Sequence, residues 1–224
     1  MGMKSKIVFS FLFVFSFITF NSFTQSFEGV ITIKETVRSN TILKKITVKG
    51  DKVKLETFAD EAGNDLKGIK IIDLASGKVT ALMPSRKLYF EVPSKPAAAP
   101  ANINVEPSGA SKNISVKTGD ATKEYACKEI LVTSQEKKTK ISYWIAEGSF
   151  SFYLKMLRAL GKSESTSEFY LKMGEKHPNA LPLIIEEKRL DNTEISKQEV
   201  TEINESSVDD SVFEIPSDYS LMER

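Results

Sequence analysis

The chain has 224 residues, with 31 Lys and Arg against 30 Asp and Glu, and a formal net charge of +1. This balance argues against a protein that binds nucleic acid through the phosphate backbone, because such proteins carry a clustered basic surface. The single cysteine excludes an internal disulfide, and the single histidine excludes a His-rich metal site. A core large enough to hold the chain without cross-links is expected at this length.

The first 24 residues have the composition of a signal peptide. Lys4 and Lys6 form a short basic start, and residues 7–20 form an uncharged, mainly apolar run of 14 residues. Such a run is too short to span a bilayer comfortably. We therefore predict export and cleavage near Thr24, which leaves a periplasmic or secreted protein without a transmembrane segment. A retained N-terminal anchor is the alternative.

Apolar and polar side chains alternate through the first part of the mature chain. Residues 27–38 place apolar side chains on one face and charged or hydroxyl side chains on the other, with Val30 and Glu35 as exceptions. This pattern is typical of a strand with one solvent-exposed face. Turn residues at Ser39-Asn40, Gly50-Asp51 and Ser76-Gly77 separate further alternating segments. The pattern predicts an antiparallel meander that ends at about residue 92.

Residues 93–113 differ in composition from the segments on either side. They contain four prolines and three consecutive alanines with little apolar periodicity, which is typical of a flexible, extended surface loop. A domain boundary is the other interpretation. We favour the loop, and with it a single β-rich domain over residues 25–224, because too few strands lie on each side for two cores.

Helical periodicity is confined to the last third of the chain. Ser149 is a plausible N-cap for an amphipathic helix that ends at Gly161, and residues 165–173 predict a second short helix closed by Gly174. Residues 181–204 then return to alternation and predict a closing hairpin. The predicted fold is mainly β with inserted helices, built as a curved antiparallel sheet or half-barrel.

Three segments of this pattern resemble a known family. These segments are residues 118–128 (TGDATKEYACK), 143–146 (YWIA) and 212–219 (VFEIPSDY). In order and spacing they are similar to the uncharacterised bacterial envelope family numbered 4412 among the domains of unknown function. That family is similar in fold to the lipoprotein carriers LolA and LolB, half-barrels whose concave face shelters acyl chains under a helical lid. The resemblance implies a LolA/LolB-like fold and an apolar ligand, and it brings no catalytic residue.

The residues themselves give little support to catalysis. His177 stands beside a proline in a predicted loop, where a histidine is usually a solvated side chain. Cys127 lies in a strand pattern without a basic neighbourhood, and the adjacent Glu186 and Glu187 point to opposite faces of a strand. We predict no enzyme, no cofactor and no metal.

Aromatic side chains are the better functional candidates. Core packing is their ordinary role, but a curved sheet capped by a helix would leave an apolar cavity for a lipid or another apolar ligand. We predict that the residues lining it are Phe58, Tyr89, Phe90, Trp144, Phe150, Tyr153, Leu154 and Leu157. The alternative is a non-enzymatic interaction module with a filled core that docks on another envelope protein through its sheet.

Overall fold

The computed structural model describes residues 26–93, 102–161 and 165–222, so the predicted signal peptide lies outside the described residues. Six strands form the first part of the fold, and they are β1 (Gly29–Val37), β2 (Asn40–Lys49), β3 (Lys52–Phe58), β4 (Leu66–Asp73), β5 (Lys78–Met83) and β6 (Leu88–Val92). Each pairs antiparallel with the next, which confirms the predicted meander.

The second part of the chain adds strands and both helices. In chain order these elements are β7 (Asn104–Thr118), β8 (Ala121–Ser134), β9 (Thr139–Glu147), α1 (Ser151–Leu160), α2 (Ser165–Gly174), β10 (Ala180–Arg189), β11 (Glu194–Glu205) and β12 (Ser220–Leu221). Among the described residues, neither helix has the length and apolar character needed to cross a bilayer.

The twelve strands of the described residues belong to one large curved sheet, and most neighbours are antiparallel. The order is β10-β9-β8-β7-β11-β1-β2-β3-β4-β5-β6-β12, and β10 also pairs with β11. The hairpin β10–β11 therefore forms as predicted, and β11 links the two parts of the sheet by pairing with β1. Two short contacts, β11 with β7 and β12 with β6, are parallel.

The predicted loop over residues 93–113 extends too far. Strand β7 begins at Asn104, and residues 94–101 lie outside the described part. The prolines predict a loop, but Pro107 lies in β7 and pairs with Ile130. The bulge that follows it is accommodated by Gly109, whose φ is 81°. Proline is tolerated at bulges and in edge strands, where its missing N–H breaks no ladder bond.

Helix α1 forms where its periodicity predicts, but Ser149 is not its N-cap. Phe150 occupies that position and makes no side-chain capping bond. Its ring lies 5.6 Å from the ring of Phe27, and its backbone N–H donates to the carbonyl of Asn179. Packing of this aromatic pair, rather than a hydroxyl cap, therefore fixes where the helix starts. Helix α2 begins at Ser165 and ends at Gly174 as predicted.

Both helices pack on the sheet and join its core. The hydroxyl of Tyr143 on β9 donates to the backbone carbonyl of Thr166 in α2, and the hydroxyl of Tyr170 donates to the carbonyl of Ala180 at 2.8 Å. The rings of Tyr153 and Tyr170 meet edge to face with centroids 5.0 Å apart. These contacts hold α1, α2 and the β9–β10 part of the sheet together.

Strand β1 approaches β11 closely at Gly29. Its φ is 145°, and a Cβ atom there would lie 2.1 Å from the carbonyl oxygen of Asn204. Glycine is required at this position because any side chain would push the two strands apart. The close contact keeps β11, which joins the two parts of the sheet, against the edge of the meander.

Candidate ligand-binding groove

A groove of about 170 Å³ lies between helix α1 and the face of β1–β4 that we call the inner face. The inner face is defined by side chains opposite one another in the register, Ile31 with Ile46, Ile46 with Leu55, and Leu55 with Lys70. The groove is lined by Ile33, Ile42, Lys44, Ile46, Leu55, Thr57, Lys70, Tyr153, Met156, Leu157, Leu160, Ser167 and Gln198.

One wall of the groove is the apolar side of α1. Its lining residues Tyr153, Met156, Leu157 and Leu160 recur at intervals of three and four, so they share one side of the helix. Lys155 falls between them in the sequence and lies on the other side of the helix, where it is exposed and its ammonium is 3.7 Å from the Asp51 carboxylate. Helix α1 therefore presents an apolar surface to the sheet and a charged surface to solvent.

A buried polar cluster lies at the β1 and β2 end of the groove. The Lys44 ammonium is 2.6 Å from Glu35 Oε2, and the Gln198 amide donates to Glu35 Oε1 at 3.0 Å. The same amide nitrogen lies 3.4 Å from the Thr166 hydroxyl of α2. Because Glu35 is 6% exposed, its carboxylate is stabilised by these neighbours rather than by water.

Two of the eight predicted ligand residues line this groove, namely Tyr153 and Leu157. Leu154 instead packs at the contact between the helices, since a Cβ on Gly174 of α2 would lie 2.7 Å from Leu154 Cδ1. Phe150 lies at the start of α1 and lines a separate, more polar cleft of about 650 Å³. The predicted helix residues are therefore divided among three sites.

The predicted strand aromatics are divided between the two faces of the sheet. Phe90 lies opposite Ala81 on the inner face, outside the groove lining. Phe58 lies opposite Leu43 and Tyr89 opposite Leu82, both on the outer face, and the Lys45 ammonium stands 5.3 Å from the Phe58 ring centroid.

Trp144 faces away from the helices. It follows Tyr143, which reaches α2, so its side chain leaves β9 on the opposite face. There the Lys112 ammonium lies 3.9 Å from the Trp144 ring centroid. Cation–π packing explains this position of the indole without a ligand.

The lining residues that the prediction missed carry a different signal. Met156 and Leu160 share the periodicity of Leu157, and Ile42, Ile46 and Leu55 alternate along β2 and β3. The predicted set consisted of aromatic side chains and two leucines of α1, so it did not include these aliphatic residues. Lys70 and Gln198 carry no recognisable signal, because their place in the groove depends on strand register.

Cys127 and His177 do not form a catalytic pair. The Cys127 thiol is buried and donates to the carbonyl of Tyr125 at 3.4 Å, whereas His177 Nδ1 lies 2.7 Å from Glu147. Burial raises the pKa of the Cys127 thiol to about 11, and the nearby Lys112 offsets this in part. A thiol with such a pKa is a poor nucleophile at neutral pH.

We expect Cys127 to resist alkylation in the folded protein. At pH 8 iodoacetamide should modify it at least tenfold more slowly than in the urea-unfolded chain, because the folded thiol is both protonated and covered. Mass spectrometry of samples quenched over time measures both rates. Equal rates in the two states would contradict the buried placement of this side chain.

The fold and groove define a mainly β protein with a large curved antiparallel sheet and two helices packed on it. The chain belongs to the family described as "Domain of unknown function (DUF4412)", which matches residues 27–219. No curated protein matches the chain. A solved structure of an uncharacterized conserved protein from Thermus thermophilus is similar in fold, with a TM-score of 0.53 and 9% identity over 90% of this chain and 93% of that one.

Proposed function

We propose that this protein is exported and binds an apolar ligand, such as an acyl chain, in the groove under α1, without catalysing a reaction. The observation that carries the proposal is that apolar side chains line both walls, Leu157 and Leu160 on the helix and Ile46 and Leu55 on the sheet. The proposal includes the LolA/LolB-like arrangement, in which a helix covers the concave face of a half-barrel.

Binding in this groove is driven by removal of apolar surface from water. Each Å² buried contributes about 25 cal/mol, and this gain must exceed the cost of immobilising the ligand. The groove volume of about 170 Å³ is below the roughly 300 Å³ at which ligand pockets usually begin. A long chain therefore enters when α1 moves outward or when Leu157 and Leu160 change rotamer.

We expect a fluorescent fatty-acid probe to bind the purified protein with micromolar affinity, and Leu157→Asp to weaken binding by at least tenfold. The added carboxylate would lie against the ligand chain in an apolar wall, where a charge is poorly solvated. Lys155→Asp is the matched control, because it introduces the same carboxylate two residues away on the exposed side of α1. Fluorescence titration of the three proteins measures the effect.

A second substitution tests the groove without introducing a charge, since a buried charge could itself unfold the protein. Leu160→Trp adds apolar volume in the groove without adding charge, so it should lower probe affinity while the protein stays folded. Circular dichroism of each variant checks the fold. If folded Leu157→Asp and Leu160→Trp bind the probe as tightly as the wild type, the groove is not the binding site.

The second candidate function is docking through a sheet edge, and one observation favours it. Within the described residues, β7 pairs with β11 at Lys117 alone, so one edge of the strand from Asn104 to Val116 has no described strand partner. An open edge can add a strand from another protein. The docking candidate predicts a stable complex with an envelope protein and no bound lipid.

A further inference from the structure

The charges that line the groove are all positive. Two of its lining side chains are ionised, Lys44 and Lys70, and no carboxylate is among the lining residues. Lys44 lies against the buried Glu35, so this positive charge is balanced within the protein. Among the described residues the charge of Lys70 has no such balance, so this residue determines the electrostatic character of the groove.

Lys70 stands among apolar neighbours on the inner face. The register places it between Leu55 on β3 and Ala81 on β5, and its side chain is half-buried. Within the described ranges no carboxylate lies within ion-pair distance of its ammonium group. Lysines on an apolar surface usually extend their ammonium group to water or to a partner, so Lys70, which has no ion-pair partner in the described part of the chain, places a cationic group at the edge of an apolar groove.

Lys70 also lies at one end of the groove. It is the sole contribution of β4 to the lining, and in the sheet order β4 is the last of the five strands that line the groove, β11, β1, β2, β3 and β4. Leu55 and then Ile46 lie beyond it across the sheet, beneath α1. A cation at the edge with an apolar path behind it matches an amphiphile with one anionic head and one hydrocarbon chain.

We propose that the ligand is a single-chain anionic amphiphile whose carboxylate or phosphate group binds the Lys70 ammonium while its chain lies along Leu55 and Ile46 under α1. This inference rests on the proposed function and specifies the chemical class of its ligand. The ammonium group donates charge-assisted hydrogen bonds to the anionic oxygens, and these are stronger when one side of the pair is shielded from water. An uncharged chain of the same length would bind through its apolar part alone.

The test compares decanoate, decyl phosphate and 1-decanol in competition with the fluorescent probe at pH 7.5. The wild type should bind both anions about tenfold more tightly than 1-decanol. Lys70→Met should remove this preference without lowering the affinity for 1-decanol. Lys67→Met is the matched control, because Lys67 lies on the same strand, is exposed, pairs with Asp65 and does not line the groove. It should keep the full preference for the anions.

The outcomes separate this inference from the proposed function. If the wild type binds 1-decanol as tightly as decanoate, or if Lys70→Met keeps the preference for anions, the anionic head-group site is wrong while chain binding stands. An equal loss in Lys67→Met would also overturn it, because the effect would then come from general surface charge. If none of the three amphiphiles displaces the probe, or the probe itself does not bind, the proposed function fails. A preference for decyl phosphate over decanoate would identify a phosphate head group, and the reverse a free fatty acid.

Discussion

Replacing Tyr170 with Ala is expected to lower the free energy of unfolding by about 3 to 5 kcal/mol, the cost of removing a fully buried aromatic ring. Tyr170 is 0% exposed and lies between the rings of Tyr143 and Tyr153, with centroids 5.6 Å and 5.0 Å away. The cavity would open where α1 and α2 meet the sheet, so the contacts of Tyr170 with Tyr143 on β9 and Tyr153 on α1 would be lost. Urea unfolding followed by tryptophan fluorescence measures the change.

Tyr170→Phe is the matched control for this prediction. It keeps the ring and removes the hydroxyl that donates to the carbonyl of Ala180 at 2.8 Å, so it should cost about 1 kcal/mol. Burial raises the pKa of Tyr170 well above its ordinary value, so the hydroxyl stays protonated and keeps donating. If Tyr170→Ala is as stable as Tyr170→Phe, the ring does not join the helices to the sheet.

The second large effect is expected at the buried polar cluster. Glu35→Leu should destabilise the fold by about 3 to 5 kcal/mol, because it removes the buried carboxylate beside the half-buried Lys44 side chain and the acceptor of the Gln198 amide. The removal of one member of a buried ion pair costs more than the removal of both. Thermal and urea unfolding of the variant give the magnitude.

The double variant Glu35→Leu/Lys44→Met tests the reason for that loss. It removes both charges and replaces them with apolar side chains, so its stability should lie closer to the wild type than that of Glu35→Leu alone. The two residues act independently if the destabilisation of the double variant equals the sum of the losses measured for Glu35→Leu and Lys44→Met alone. The ion pair would then contribute nothing to the fold.

The main elements of this fold could be predicted from the sequence because each has a local signature. Period-two alternation located the meander, and helical periodicity located α1. The closing hairpin predicted over residues 181–204 corresponds to β10 and β11. Errors arose where tertiary contacts replaced a local signal, as at Ser149, where packing of Phe150 against Phe27 fixes the start of the helix.

The groove could be predicted in part. Alternation gives the face of a residue within its own strand, but it does not give the register between strands or show which face a helix covers. For this reason the inner Phe90 could not be separated from the outer Phe58 and Tyr89. The position of Lys70 beside Leu55 and Ala81 follows from two strand pairings that the sequence does not specify.

The most direct test of the central claim is mass spectrometry of organic extracts from protein purified from its native host without detergent. We expect the extract to contain a single-chain lipid in near-stoichiometric amount, and the extract of Leu157→Asp to contain at least tenfold less. Lys155→Asp should retain the wild-type amount. Extracts of folded wild-type protein that contain no lipid, together with a defined protein partner that co-purifies, would contradict the account and favour docking through β7.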